Sequence, residues 1–328
     1  MEKRKFGNTG LAVSRLTFGC GAVGGLMTKG DARDQDRAIG WARDHGINFF
    51  DTAASYGNGV SEENLGRALN GNSDGLVIST KVGLSNDDLS DVYGAITRSL
   101  DASLARLGLD HVDIFQLHNT LGRTDFRGTL TIDQIMDAVV PAFDKLRDTG
   151  KVRFLGFTAK GEADDVHKLV SCGVFHSAQV FYNLLVPSAG EPIAANYPSD
   201  DYKLLLETAK DHGVGAIGVR VLAGGALSGS VARHPLGMRD VTPIGSETDY
   251  ATDVERGLAF MPLVEAGHAG SLIELAIRYV ISNPALPTTE IGIATLDELQ
   301  QATAAVNKGP LSPDALAQIK QVQAGFVI

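Results

Sequence analysis

Asp51, Tyr56, Lys81 and His118 are the residues of this chain best placed to do chemistry. Each stands at or just past the end of a short apolar run that reads as a strand. Asp51 closes INFFD, Tyr56 follows in TAASYG, Lys81 closes LVISTK and His118 closes VDIFQLH. Three successive strand ends therefore deliver an acid, a phenol, an amine and an imidazole. A free phenol titrates near pH ~10, so it is a reluctant acid at neutral pH. A nearby ammonium stabilises the phenolate and lowers that value, a role open to Lys81 toward Tyr56. Asp51 is placed to pair with Lys81 and keep it charged, and His118 to orient a carbonyl oxygen by hydrogen bonding. Positioned proton transfer of this kind contributes roughly 10²–10⁴-fold. A reaction that needs a proton at a carbonyl oxygen, without a metal or a nucleophile, is hydride addition, and the hydride must come from a cofactor. Singly, each residue has an ordinary role as a cap, a snorkelling amine, a core imidazole or a loop aromatic. Their joint placement carries the reading.

The elements that must position them follow a repeated unit: a helical pattern ends in glycine and a short apolar run follows at once. ARDHG leads into INFFDTA, LRDTG into KVRFLGFTA, LVSCG into VFHSAQVFYN, and AKDHG into VGAIGVRV. Glycine just past a helix end supplies the left-handed residue that stops it. A continuous apolar run fits a parallel strand covered on both faces. Eight such strands are expected, at 15–20, 47–53, 76–82, 112–118, 152–159, 177–183, 215–221 and 289–294. Eight βα units predict an α/β fold, a (β/α)8 TIM barrel, with 1–328 as a single domain. A short N-terminal β-hairpin turning at GNTG is expected to plug the closed end. The helix at 61–69 is expected to be capped around Ser61 and Asn64. An open doubly wound sheet is the alternative. FGCGAVGG does present G-x-G-x-x-G at Gly19, Gly21 and Gly24, but a match that opens no clear helix is weak. Long loops at 119–130, 186–200 and 230–252 are the expected pocket walls, with Phe126, Tyr197, Tyr202 and His234 as possible lining residues.

The bulk composition excludes several classes. The 328 residues carry a formal charge of −10 and no basic tract, which argues against nucleic acid and against an anionic membrane surface. No apolar run approaches the roughly 20 residues that span a bilayer. The segment MEKRKFGNTGLAV has no apolar stretch after its charges, so it does not read as a secretory signal. Cys20 and Cys172 lack metal-ligand spacing and read as buried free thiols, suiting a reducing compartment. A cytoplasmic protein without a bound metal is expected. Oligomeric state has no signature.

FFDTAASYGNGVSEENLGRAL, STKVG and HVDIFQLHN resemble the aspartate–tyrosine, lysine and histidine segments of the aldo-keto reductases, and the similarity runs over nearly the whole chain. That resemblance implies a barrel that reduces aldehydes or ketones, including sugars and other polar carbonyls, with NADP(H) by default. It implies Tyr56 as the acid, Lys81 and Asp51 as its tuners and His118 as the orienting group. It places Gly21, Ala22, Val23 and Asp51 near the nicotinamide and its ribose, and Thr158 and Gln179 on the carboxamide. Leu222 and Gly225 belong to a loop over the pyrophosphate. Val219 stands where the family has an aromatic residue and Arg220 where it has serine, so Arg220 is expected to bind the pyrophosphate or the substrate. Around Gly292 and Ala294 there is no lysine or arginine for a 2′-phosphate, and Gln301 stands at a position that often touches adenine. NAD(H) is therefore a plausible cofactor. Two alternatives remain open at this point: a Schiff-base aldolase using Lys81, and a cofactor-binding regulatory barrel without turnover.

Overall fold

A computed structural model of the chain describes residues 1–122, 128–243, 246 and 248–326. The first two strands, β1 (Lys3–Lys5) and β2 (Ala12–Ser14), form the antiparallel hairpin expected at GNTG. The next four are β3 (Leu16–Gly19), β4 (Phe49–Asp51), β5 (Val77–Val82) and β6 (Val112–Leu117). A short parallel pair, β7 (Thr120–Leu121) and β8 (Thr129–Leu130), flanks the loop after β6. Then come β9 (Val152–Ala159), β10 (Ser177–Phe181), β11 (Gly215–Val219) and β12 (Thr288–Gly292). Strands β3, β4, β5, β6, β9, β10, β11 and β12 close in that order into an all-parallel barrel, with β12 pairing back onto β3. The expected (β/α)8 architecture is the one observed, with strand ends shifted by up to two residues.

The period of two along each strand sorts the barrel interior into layers. Phe49, Val77, Ile114 and Ile217 form an apolar layer at the closed end. Phe6 and Val13 of the hairpin region pack beneath it, with Phe6 edge-on to Phe49 at a centroid separation of 5.8 Å. Burying a phenylalanine side chain is worth roughly 1.5–3 kcal/mol, so the plug adds to the barrel's stability. Two residues further along the same strands, Asp51, Ser79 and Gln116 lie toward the open end. The register pairs Asp51 with Ser79 across β4–β5, and Lys81 with Gln116 across β5–β6. One step of the pleat thus takes the interior from hydrocarbon to polar groups.

Two local expectations are corrected. The helix Val60–Leu69 starts from Gly59 in a left-handed conformation and has no side-chain cap. The Ser61 hydroxyl instead donates to the Cys20 carbonyl at 2.9 Å and pairs with Thr52, while Asn64 donates to the Met27 carbonyl at 2.9 Å. These bonds tie the helix to the loops after β3 and β4. After FGCGAVGG a helix does open, but it spans only Leu26–Lys29. Of the thiols, Cys20 is buried and Cys172 only half-buried; both are free. Among the described residues, no helix is long and apolar enough to cross a membrane, and no His/Cys/Asp/Glu cluster could hold a metal ion.

Candidate active site

Lys81 is the hub of the polar layer. Its side chain and that of Asp51 have no solvent exposure, and its ammonium pairs with Asp51 Oδ2. The same Nζ donates to the Thr52 carbonyl at 2.8 Å and to Tyr56 Oη at 3.1 Å. Three acceptors for three hydrogens leave the ammonium saturated. Asp51 is held from its other side by Gln116 Nε2, which donates to Oδ1 at 2.9 Å and to Ser79 Oγ at 2.6 Å. Since Nζ is the donor to Tyr56 Oη, the phenolic hydrogen remains for the pocket. His118 stands edge-on to Tyr56, with ring centroids 5.7 Å apart, and its Nδ1 lies 3.4 Å from Ser55 Oγ. The four residues chosen from sequence therefore meet in one place.

Burial sets the electrostatics. It drives the Tyr56 phenol up to about 12, even though Lys81 pulls in the other direction. The expectation that Lys81 leaves Tyr56 with a depressed value is therefore corrected for the open pocket: the ammonium only moderates a larger desolvation cost. For Lys81, burial favours the neutral amine, but the charges of Asp51, Tyr56 and Glu290 outweigh it and raise the group above its ordinary value. A saturated, firmly protonated lysine is a poor nucleophile, which weighs against the Schiff-base alternative. Burial and then the Lys81 and Lys160 charges lower His118 to about 3, so its imidazole is neutral at physiological pH. Cys20 is pushed well up, chiefly by burial, and is an unreactive thiol.

Above this layer opens a cavity of about 610 Å³ whose lining includes Tyr56, His118, Gln301 and Ala302. Its size is that of a small-molecule or cofactor site. Every cofactor position chosen from sequence lies on its wall except Asp51, which sits beneath it. Gly21, Ala22 and Val23 line it, as do Thr158 and Gln179, the latter bonded to Asp51. Val219, Arg220, Leu222 and Gly225 line it too, with Gly292, Ala294 and Gln301. Arg220 directly follows β11 with φ 57°, a left-handed conformation costly for a side-chain-bearing residue. Asn183 Nδ2 holds it by donating to its carbonyl at 2.9 Å. Among the described residues its guanidinium has no carboxylate partner within ion-pair distance. The following turn has Gly224 and Gly225 at φ 68° and 110°, where a larger residue would be strained. Of the possible lining residues, His234 reaches the cavity. Tyr202 stacks against Phe181 and Tyr197 donates to the Leu185 carbonyl, so both belong to the packing around it. Phe126 lies outside the described residues.

Four wall residues had no assigned role from sequence. Glu290 stands in the middle of β12, in TTEIG, whereas Asp51 closes β4, and an acid inside a short barrel strand was the available signal. Gln179 Nε2 donates both to Glu290 Oε2 at 2.8 Å and to Asp51 Oδ2 at 3.2 Å, while its carbonyl accepts from Thr158 Oγ1 at 3.2 Å. Burial, and then the Asp51 charge, push the Glu290 carboxyl well above the usual carboxylate range. Lys160 lies beside His118, partly buried and with its value lowered mainly by burial. Arg233 donates to the Gly224 and Met238 carbonyls at 2.6 Å each and covers the Tyr250 ring. Glu298, also on the wall, accepts from the Ala294 amide at 2.7 Å. Only three-dimensional placement distinguishes these last three from surface charges.

Known proteins match this arrangement along its length. L-galactose dehydrogenase of Arabidopsis thaliana is 29% identical over 319 residues, covering 94% of this chain and 89% of that protein. A probable voltage-gated potassium channel subunit beta of the same plant is 28% identical, with 98% and 96% covered. L-glyceraldehyde 3-phosphate reductase of Escherichia coli (strain K12) is 27% identical, with 98% and 92% covered. Among solved structures, the holo form of an aldo-keto reductase from Bacillus halodurans superposes with a TM-score of 0.75 at 24% identity, covering 98% of this chain and 96% of that one. The profile described as the Aldo/keto reductase family matches residues 15–324, from the first barrel strand to the last helix, and with the closed barrel and its polar floor this makes the chain a member of that family.

Proposed function

We propose that this protein reduces aldehydes and ketones, or oxidises the corresponding alcohols, with a nicotinamide cofactor and with Tyr56 as the proton donor or acceptor. The observation that carries the reading is the bond from Lys81 Nζ to Tyr56 Oη at 3.1 Å, made by an ammonium already anchored on Asp51 and the Thr52 carbonyl. The residues present suit a dinucleotide: a cavity of about 610 Å³ is bordered by Tyr56 and His118, and its wall carries Arg220 beside a turn of left-handed glycines. Backbone amides and a guanidinium are suited to a pyrophosphate. When bound, the nicotinamide supplies the hydride. Neutral His118 donates a hydrogen bond to the carbonyl oxygen and sets its direction toward Tyr56. As negative charge gathers on that oxygen, Tyr56 gives up its proton, and Lys81 holds the phenolate with a charge-assisted bond. A resting value near 12 withholds the proton until an alkoxide, a far stronger base, is forming.

The cavity wall around Ala294 favours NAD(H) as an accepted cofactor alongside the family's usual NADP(H). Glu298 places a carboxyl near Ala294, and neither Gly292 nor Ala294 brings a basic side chain there. A carboxylate suits a ribose 2′-hydroxyl and opposes a 2′-phosphate.

The test is a panel of carbonyl compounds followed by loss of NADPH or NADH absorbance. Carboxylated and phosphorylated aldehydes belong in it because Lys160 stands by His118. Tyr56→Phe should lower turnover by at least about 10²-fold with cofactor affinity nearly unchanged. If Tyr56→Phe turned over like the parent, the assignment would fail. Cofactor binding with no turnover on any carbonyl would favour a regulatory barrel, and a borohydride-trapped lysine adduct an aldolase.

A further inference from the structure

The polar floor holds one acid more than the proton transfer at Tyr56 requires. Lys81 supplies a single positive charge, and two carboxyl groups face it, Asp51 from β4 and Glu290 from β12. One amide nitrogen, Gln179 Nε2, joins the two acids with bonds of 3.2 and 2.8 Å. Glu290 also borders the cavity, whereas Asp51 does not. The Glu290 side chain lies against Gly19 of β3, two residues beyond its register partner Thr17; an added Cβ at Gly19 would lie 3.0 Å from Glu290 Oε1, so the carboxyl occupies space that the glycine leaves open. The groups that act on it are Asp51 and Lys81; Tyr56 and Cys20 in turn feel its charge. None of these but Lys81 is a cation.

Charge counting gives this extra acid a use. With Lys81 charged and Asp51 ionised, a protonated Glu290 leaves the floor neutral. A second buried carboxylate would leave it negative, which a low-dielectric interior resists. Under the carbonyl-reductase reading, on which this inference rests, the ring that delivers hydride must lie close to the carbonyl carbon held at Tyr56. It is therefore close to Glu290 as well. That ring is neutral when reduced and cationic when oxidised, so ionised Glu290 restores neutrality only after hydride has left.

We propose that Glu290 is the proton store of the site: it keeps its proton while the bound cofactor is reduced and releases it when the cofactor is oxidised, with the proton passing through Asp51 and Lys81 to Tyr56. In carbonyl reduction the Tyr56 O–H bond breaks and its proton goes to the substrate oxygen, while the hydride and its electron pair go to the carbonyl carbon. A proton from Lys81 re-forms the phenol; the Glu290 O–H bond then breaks to protonate the Asp51 carboxylate, and Asp51 hands a proton on to the Lys81 amine. Lys81 and Asp51 end as they began. One proton has left Glu290 and one has reached the alcohol. Glu290 regains a proton from solvent through the open cavity, and alcohol oxidation runs the sequence backwards. Glu290 acts through its neighbours and is a positioning residue in this scheme.

The test is binding, without turnover. NADP⁺, NADPH, NAD⁺ and NADH are titrated into the protein between pH 6 and 9 in weak buffer with an indicator dye. Expected are release of a proton with either oxidised cofactor beyond that seen with its reduced partner, and an affinity for the oxidised form that strengthens by up to about tenfold per pH unit over part of the range. A 2′-phosphate is common to NADP⁺ and NADPH, so its own titration cancels. In Glu290→Gln, which keeps an acceptor for Gln179, the excess release and the difference in pH slope should vanish. Equal release with both redox forms in the parent protein overturns the proposal, and this needs no variant. Excess release persisting in Glu290→Gln also overturns it. Failure of the parent to bind any of the four cofactors would instead sink the carbonyl-reductase reading beneath it.

Discussion

Replacing Lys81 by methionine tests how the floor of the site is held together. Lys81 and Asp51 are both fully buried, so the variant leaves a carboxylate with Gln116 and Gln179 as its remaining side-chain donors. Removing one partner of a buried pair costs about 3–5 kcal/mol, because the survivor stays desolvated. For a chain of this size that lowers the melting temperature by on the order of 10 °C. The second variant, Lys81→Met with Asp51→Asn, removes the stranded charge and keeps an amide for the same neighbours. It should recover at least about 2 kcal/mol relative to the single variant. The assay is urea unfolding at pH 7 of the parent, the two single variants and the double variant, followed by circular dichroism. The sign of the pH dependence is fixed too. Lys81 is raised above its ordinary value, so the stability it contributes is complete below about pH 10 and is lost only as pH climbs through the folded value. The deficit of Lys81→Met should therefore be flat from pH 6 to 9. A double variant no more stable than Lys81→Met would refute the idea that an unpaired Asp51 charge is what the floor cannot tolerate.

Other outcomes follow from the same geometry. His118 titrates near 3 in the folded chain and near the ordinary ~6.5 when unfolded, so the unfolded state binds more protons between those values. Parent stability should fall on acidification through that window, by at most about 1.4 kcal/mol per pH unit, and His118→Gln should remove that component of the fall in urea titrations. Arg220→Ala should weaken cofactor binding roughly ten- to hundredfold by fluorescence quenching, as expected for a charged hydrogen bond of about 1.5–3 kcal/mol; unchanged affinity and unchanged substrate KM would remove Arg220 from both roles. The ratio of kcat/KM for NADPH over NADH should stay below about 10³, and a larger preference would contradict the reading of Glu298.

The barrel was legible in the chain because its strands are short apolar runs punctuated by glycine, and all eight lie within a few residues of where that pattern put them. Asp51, Lys81 and His118 stood out because a charge or an imidazole ending an apolar run is conspicuous. Glu290 lies inside β12 and not at its end, and TTEIG is already polar, so its acid gave no contrast. The direction of the Tyr56 shift depends on how much protein surrounds the phenol, a quantity no spacing reveals. The 186–200 loop reads as pocket wall from its length and its place after a barrel strand, neither of which shows where its side chains go. Tyr197 bonds to Leu185 and Tyr202 stacks on Phe181, so both rings serve the packing around the cavity. Lys160 and Arg233 looked like any other surface cations until folding turned them inward.

The hairpin plug decides how the interior meets its surroundings. With Phe6 and Val13 seated under Phe49, Val77, Ile114 and Ile217, the barrel is a vessel stoppered at one end. Cofactor, carbonyl compound, alcohol and exchangeable protons must all pass through the same mouth. Traffic then becomes a matter of sequence: whatever lies deepest enters first and leaves last, and anything lodged at the rim delays everything beneath it. Changing the rim alters who is admitted and how quickly they depart, while the chemistry at the bottom stays as it was.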